Sequence, residues 1–114
     1  MVKKNYIPER GDIVWLDFNP QSGHEQKGKR PAVVVSPKAY NEKTGLGLFC
    51  PITSKVKDYP FEVKIENKLI AGVVLSDQIK NIDWKTREIE YITKEAPEKI
   101  NEIIDKIGAL LLER

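Results

Sequence analysis

The stretch "GHEQKGKRP", residues 23–31, concentrates groups that can move protons or hold a phosphate. His24 and Glu25 are candidate proton-transfer groups, and Arg30 offers a planar fork of donors that matches phosphate oxygens. Breaking an RNA phosphodiester without a metal requires a base, a donor to the phosphoryl oxygens and an acid for the leaving oxygen. The residue types in this loop suit that chemistry.

Thr53 is a further candidate, because it ends an apolar run beside a polar loop and its hydroxyl could meet the same phosphate. Each of these residues also has an ordinary interpretation. Arg30 could be a surface arginine paired with Asp17 or Glu25, which is at least as common as catalysis. A lone loop histidine is usually solvated, and Thr53 is ordinarily a threonine at a strand edge. The residue types alone leave both interpretations open.

A second cluster, "SKVKDYPF" at residues 54–61, places Lys55 and Lys57 beside Tyr59 and Phe61. Such a cluster suits single-stranded nucleic acid, in which the lysines contact phosphates and the rings stack on bases. Stacking contributes about 1–3 kcal/mol per base to binding. The alternative is a solvated hairpin loop that the two aromatic rings anchor in the core. Phe61 is expected in the core, because it is in phase with the apolar residues of the strand that follows.

The sequence contains no motif typical of a metal site or of a nucleotide-binding loop. There is no Cys/His cluster, no HExxH motif, no phosphate-binding P-loop and no paired carboxylates, so we expect neither a metal site nor a cofactor. Cys50 is the only cysteine and is expected to be buried and inert. No run is apolar enough to span a membrane and the N-terminus lacks the core of a signal peptide, which favours a cytoplasmic protein.

The composition fits one soluble domain over residues 1–114, with 40% hydrophobic and 32% charged residues. The net charge of +2 does not indicate a bulk polycation, so contact with nucleic acid would depend on local clusters. Short alternating or apolar runs separated by turn formers predict strands. We place these strands at residues 12–18, 32–35, 46–53, 61–66, 71–82 (one long strand or a bent pair) and 89–93.

Helices are predicted at two places. Residues 37–43 form a short helical turn that Gly45 ends. Near the C-terminus the apolar residues follow the period of an α-helix that begins at Pro97. Its apolar face comprises Ile100, Ile103, Ile104, Ile107, Leu110 and Leu111. The predicted fold is therefore mainly β with helices: a small antiparallel, barrel-like sheet with a C-terminal α-helix packed on it.

Several of these stretches together resemble the MazF/PemK (Kid) toxins of bacterial toxin–antitoxin pairs, and the MazF branch most. The matching stretches cover nearly the whole chain: RGDIVWLDFNP, GHEQKGKRPAVVVSP, YNEKTG, PITSKVKDYPFEV and GVVLSDQIKNIDW. The resemblance implies an SH3-like β-barrel, a homodimer and a sequence-specific endoribonuclease acting on single-stranded RNA, typically mRNA. It also implies metal-independent cleavage to 2′,3′-cyclic phosphate and 5′-hydroxyl ends. The implied partner is a MazE-like antitoxin whose acidic, disordered tail lies across the RNA groove.

The resemblance also assigns roles to individual residues. Arg30 and Thr53 match the family's catalytic arginine and threonine, and Glu25 matches a glutamate implicated in some members. His24 stands where serine is common, so it is not expected to be the shared base, and the general base stays open. Three further residues match positions near the RNA groove: Phe18, Lys57 and Gln78. Tyr59 joins these RNA-binding candidates through the basic and aromatic cluster.

Two alternative functions remain at this point. A CcdB-like gyrase poison would share the fold without being an enzyme, but such proteins end in tryptophan–glycine–isoleucine, whereas this sequence ends in LLLER. A barrel that only binds RNA or protein would have a degenerate site, and the presence of both Arg30 and Thr53 argues against it.

Overall fold

The computed structural model describes residues 5–18 and 29–113. Most of the predicted polar loop, including His24 and Glu25, therefore lies outside the described residues. The elements in chain order are β1 (Asp12–Asp17), β2 (Lys29–Val34), α1 (Lys38–Thr44), β3 (Leu46–Thr53), β4 (Glu62–Glu66), β5 (Ala71–Leu75), a 3-10 turn (Ser76–Gln78), β6 (Lys80–Asp83), β7 (Glu90–Lys94) and α2 (Pro97–Leu112).

These strands form an antiparallel sheet that curls into a half-barrel, with the order β4-β5-β3-β2-β1-β7 in the described part of the chain. The sixth strand, β6, also pairs with β3. The first half of β3 pairs with β6, and its last two residues pair with β5. Residues 71–82 are thus the bent pair of the two predicted alternatives, since the 3-10 turn separates β5 from β6. This bend brings the turn close to the end of β3, where Thr53 lies.

Alternation along the central strands places apolar side chains on both faces of the sheet. Ile13 and Val33 belong to a cluster that α2 covers with Ile100 and Ile103. Their neighbours in sequence point the other way, into a second cluster that includes Trp84. The members of the second cluster are Val14, Leu16, Phe18, Ala32, Val34, Phe49, Ile82 and Trp84. The mainly β fold with a C-terminal helix is confirmed.

The second strand begins earlier than predicted. The sequence indicates a strand from Ala32, but β2 starts at Lys29 and includes Arg30 and Pro31. These residues pair with β1, where Arg30 lies opposite Leu16 and Pro31 opposite Trp15. Pairing with a neighbouring strand therefore extends β2 beyond its apolar run. As a result, Arg30 is held by a sheet ladder rather than by a loop.

Both helices were expected, but the last turn of α2 differs from its prediction. Gly45 ends α1 in the left-handed conformation, at φ 73°. The apolar face of α2 packs on the core as far as Ile107. Leu110 and Leu111, which the sequence places on the same face, are 47% and 77% exposed because the helix runs past the residues that form the core.

Two further features bear on the predicted absences. None of the helices in the described ranges is long and apolar enough to cross a membrane. Within those ranges, no three His, Cys, Asp or Glu side chains come close enough together to hold a metal ion. Cys50 is buried, and this burial raises the pKa of its thiol to about 12.

Candidate active site

The register of two neighbouring strands brings Arg30 and Thr53 together. Ala32 of β2 pairs with Pro51 of β3, and the strands are antiparallel. Continuing this register by two residues places Arg30 opposite Thr53, and residues opposite each other in a sheet point to the same face. Both side chains line a cavity of about 210 Å³.

Five of the seven predicted site residues line this one cavity: Arg30, Thr53, Lys57, Tyr59 and Gln78. They come from four parts of the chain. The paired ends of β2 and β3 supply the first two, the segment between β3 and β4 supplies the lysine and the tyrosine, and the 3-10 turn supplies the glutamine. Lys55, Glu62 and Leu75 complete the lining among the described residues.

Phe18 and Glu25 stand apart from this group. Phe18 is only 8% exposed and packs in the second apolar cluster beside Leu16, and the cavity lining does not include it. The structure therefore gives Phe18 a packing role, and its predicted contact with RNA remains a prediction. Glu25 lies outside the described residues, so its catalytic role also stays a prediction.

The cavity is electropositive. Among the described residues of its lining, Arg30, Lys55 and Lys57 face a single carboxylate, that of Glu62. That carboxylate is already engaged, since it accepts hydrogen bonds from the backbone N–H groups of Lys57 at 2.9 Å and Asp58 at 3.0 Å. Arg30 is exposed and makes no ion pair with another described residue. The cavity therefore suits a phosphate, which would gain donors without displacing a structural ion pair.

Thr53 is oriented by its local backbone. Its Oγ1 accepts a hydrogen bond of 3.1 Å from the backbone N–H of Lys55. A hydroxyl that accepts from an amide keeps its own proton for donation, so Thr53 can donate to an anionic oxygen in the cavity. The strand behind it is closely packed: a Cβ on Gly72 would lie 2.5 Å from the Thr53 carbonyl oxygen. Glycine at that position therefore sets the path of the chain at Thr53.

Tyr59 is fixed by a partner in the 3-10 turn. Its hydroxyl donates a hydrogen bond of 2.6 Å to Asp77 Oδ1, and this bond is the main reason that the pKa of Tyr59 is raised to about 12. The phenol therefore remains protonated at neutral pH. The ring of Tyr59 also packs at a tilt against Phe61, with centroids 6.3 Å apart. The sequence predicted Phe61 in the core, but Phe61 is only half-buried.

Two carboxylates at this site, Glu62 and Asp77, were not among the residues predicted from the sequence. Glu62 caps the loop that carries Lys57, because its carboxylate accepts a hydrogen bond from the Lys57 backbone N–H. Asp77 lies beside Gln78 in the "SDQ" stretch that entered the family resemblance. The signal that could have found Asp77 is this adjacency.

Comparison with known proteins agrees with this architecture. Residues 9–111 match the family described as "PemK-like, MazF-like toxin of type II toxin-antitoxin system". The chain is 46% identical to the endoribonuclease toxin MazF of Escherichia coli K12 over 106 residues, which cover 93% of this chain and 96% of that protein.

Solved structures give the same result. A crystal structure of MazF from Deinococcus radiodurans superposes with a TM-score of 0.85 at 47% identity, covering 94% of this chain and 98% of that one. A MazE–MazF crystal structure from the same organism gives a TM-score of 0.83 at 41% identity, covering 96% of this chain and 100% of that one.

Proposed function

The chain belongs to the PemK-like, MazF-like toxin family of type II toxin–antitoxin systems, and from this premise we propose that it is an endoribonuclease that cleaves single-stranded RNA, typically mRNA. One observation carries the proposal: the cavity of about 210 Å³ gathers Arg30, Thr53, Lys57, Tyr59 and Gln78. The cavity combines hydrogen-bond donors for a phosphate with an aromatic ring that can stack on a base and an amide that can hydrogen-bond to one.

In the proposed reaction the 2′-hydroxyl gives its proton to a base and attacks the adjacent phosphorus, the bond to the 5′-oxygen breaks, and the leaving oxygen takes up a proton from water. The products are a 2′,3′-cyclic phosphate and a 5′-hydroxyl, and no metal takes part. Arg30 donates to the phosphoryl oxygens, where negative charge develops in the transition state. Thr53 donates its hydroxyl proton as a hydrogen bond to the same phosphate, and Lys57 holds the RNA backbone.

The base that takes the 2′-proton is not one of these groups. An arginine is too basic to lose its proton readily, and Tyr59 has a pKa of about 12 and donates to Asp77. Glu25, matched to a family glutamate, is the base we propose. A free carboxylate is ionised at neutral pH and can therefore accept that proton.

Cleavage of a long single-stranded RNA in EDTA, with the new ends mapped, tests the proposal. We expect full activity in EDTA, cyclic phosphate ends, and resistance of RNA that carries a 2′-deoxy nucleotide at the cut position. Activity that EDTA abolishes and magnesium restores would refute the metal-independent mechanism. Cleavage of an all-DNA substrate would refute attack by the 2′-hydroxyl.

We extend the proposal to an antitoxin partner in the cytoplasm. MazE–MazF complexes are among the solved structures similar to this chain. The partner we propose is MazE-like, with an acidic, disordered tail that occupies the electropositive cavity and so excludes RNA. The family match to toxins of type II systems supports this partner.

We also propose a homodimer. The last turn of α2 exposes Leu110, Leu111 and Leu112, the last at 78%, and a second copy of the chain would cover this apolar surface. Light scattering on the purified protein should give twice the mass of one chain. Leu111→Lys should shift the mass toward the monomer, whereas Leu69→Lys, at a leucine 63% exposed elsewhere, should not. A dimer that Leu111→Lys leaves intact would remove this face from the interface.

A further inference from the structure

A side-chain hydrogen bond ties the loop of the cavity to the 3-10 turn beside it. Tyr59, in the loop at residues 54–61, donates to Asp77 of the turn at 2.6 Å. The backbone supports the same junction, because the Ser76 N–H of the turn donates to the Phe61 carbonyl at 3.1 Å. The turn also carries Gln78, so the bond fixes the distance between two walls of the cavity.

The position of the Tyr59 ring depends on this bond. The ring borders both the cavity of about 210 Å³ and a neighbouring trough of about 630 Å³ that runs along β4 and β5. Its other aromatic contact, with Phe61, is a tilted pair at 59°, which leaves the ring free to stack on a planar ligand. Asp77 itself does not line the cavity of about 210 Å³, and the Tyr59 hydroxyl links its carboxylate to a side chain that does.

We propose that Asp77 is a positioning residue, which holds the Tyr59 ring in the cavity wall so that it stacks on a base beside the scissile phosphate of single-stranded RNA. This inference rests on the proposed function. The raised pKa of Tyr59 fits it, since the phenol stays protonated and keeps donating throughout the neutral range. It extends the site to a residue that the sequence did not single out.

A double-mutant cycle tests the coupling. Tyr59→Phe keeps the ring and removes only the donor, Asp77→Ala removes the acceptor, and Asp77→Asn keeps an amide oxygen that can accept. We expect Tyr59→Phe and Asp77→Ala each to lower kcat/KM roughly fivefold, mainly through KM, and the double variant to be no worse than either single one. Asp77→Asn should retain most of the activity.

Tyr6→Phe is the matched control. Tyr6 donates a hydrogen bond of the same length, 2.6 Å, to Asp12, and neither residue lines the cavity. This variant should lose some stability but keep the KM of the wild type. If the losses in the Tyr59→Phe and Asp77→Ala variants were additive, Asp77 would not act through Tyr59. If Asp77→Asn were as impaired as Asp77→Ala, the charge or proton of Asp77 would take part directly, and the positioning role would be wrong.

Amide hydrogen exchange in the loop at residues 54–61, measured without RNA, reads the bond independently of cleavage. Asp77→Ala and Tyr59→Phe should speed exchange there to the same extent, and Tyr6→Phe should not. Unchanged exchange in the two variants would overturn the inference even if the wild-type protein cleaves RNA. A wild-type protein with protected loop amides but no activity on RNA would instead refute the proposed function. Should Asp77→Ala fail to fold, Tyr59→Phe and Asp77→Asn still decide the outcome.

Discussion

Arg30 combines a planar fork of phosphate donors with a firmly positioned backbone, because it is paired with Leu16 in the β1–β2 ladder. Arg30→Ala should lower the single-turnover cleavage rate on the order of 100- to 1,000-fold, the usual cost of removing a preorganised donor to a developing charge. Arg30→Lys should also be poor, since a point charge does not reproduce the planar fork. A near-normal rate in Arg30→Ala, with the fold unchanged by circular dichroism, would remove Arg30 from the site.

Thr53 allows a sharper test, because its hydroxyl can be removed or retained. Its Oγ1 accepts a hydrogen bond from the Lys55 amide and, in the proposed reaction, donates to the phosphate, so Thr53→Ala removes both interactions while Thr53→Ser keeps both. We expect Thr53→Ala to slow cleavage roughly 10- to 100-fold, and Thr53→Ser to stay within a few-fold of the wild-type rate. The single-turnover rate at saturating enzyme measures both. Equal rates in the two variants would show that the hydroxyl has no part in the reaction.

His24 and Glu25 can be separated by the pH dependence of the rate. An imidazole titrates near pH 6.5 and a glutamate near pH 4.3, so the acidic limb of the profile identifies the base. We expect His24→Ser to keep most of the rate, because the family resemblance places this histidine where serine is common. Glu25→Gln should lose far more if its carboxylate takes the 2′-proton.

The contrary result is equally clear. If His24→Ser were as slow as Arg30→Ala, and if the limb near pH 6.5 disappeared with it, His24 would be the base. The proposed role of Glu25 would then be wrong. A small loss in both variants would indicate that the base is another group.

At the scale of the elements, the junction of β3 and β5 determines where Thr53 lies. Gly72 has φ 148°, and an added Cβ would lie 2.5 Å from the Thr53 carbonyl oxygen. Gly72→Ala must therefore move the backbone of one strand, at a cost of roughly 2 kcal/mol or more in the free energy of unfolding. Because the shift occurs at Thr53, the cleavage rate of the folded enzyme should fall as well.

Gly108→Ala is the matched control for that substitution. Gly108 lies inside α2, and an added Cβ there would meet nothing within 4 Å. The exchange should stabilise the protein by about 0.5–1 kcal/mol, since alanine is the better helix former. Chemical denaturation measures both variants. A Gly72→Ala protein as stable and active as the wild type would show that the close approach to Thr53 is not required.

The sequence predicted these elements well where a single periodicity governs them. The alternation of Val63 and Ile65 against charged residues located β4, and Gly45 located the end of α1. The prediction of strand ends was wrong where pairing with a neighbouring strand extends the strand. Lys29 and Arg30 carry no strand signal in the sequence and join β2 only because β1 lies beside them. The sequence also placed Leu110 and Leu111 on a buried face, because helical phase does not reveal where the sheet beneath a helix ends.

The candidate site shows the same division. Residue types suggested phosphate chemistry near Arg30 and RNA binding near Lys57, and the family resemblance added Gln78, but neither could show that these residues meet in one cavity. That depends on the bend between β5 and β6, for which the sequence left two alternatives open. The carboxylates of Glu62 and Asp77 were not predicted, because the hydrogen bonds that they accept depend on how the chain folds. Glu62 accepts from the backbone of Lys57, and Asp77 accepts from the hydroxyl of Tyr59.

For the whole molecule, the positive charge that would attract RNA is concentrated at one cavity and does not come from a large net charge. The net charge is only +2, yet Arg30, Lys55 and Lys57 converge on one cavity. An RNA strand and an acidic antitoxin tail would therefore compete for the same small region. Since part of the attraction is between exposed charges, the affinity for either ligand should fall as the salt concentration rises.

Lys57→Gln tests this competition directly. It should weaken binding of both the antitoxin tail and an uncleavable 2′-O-methyl RNA several-fold, and it should reduce the slope of log affinity against log salt for RNA by about one. Lys38→Gln removes the same charge from an exposed position in α1, away from the cavity, and should change neither affinity. Titrations followed by fluorescence anisotropy at several salt concentrations give both quantities. If the tail bound equally well to a toxin already saturated with the uncleavable RNA, the two ligands would not share the cavity, and neutralisation would have to act from another surface.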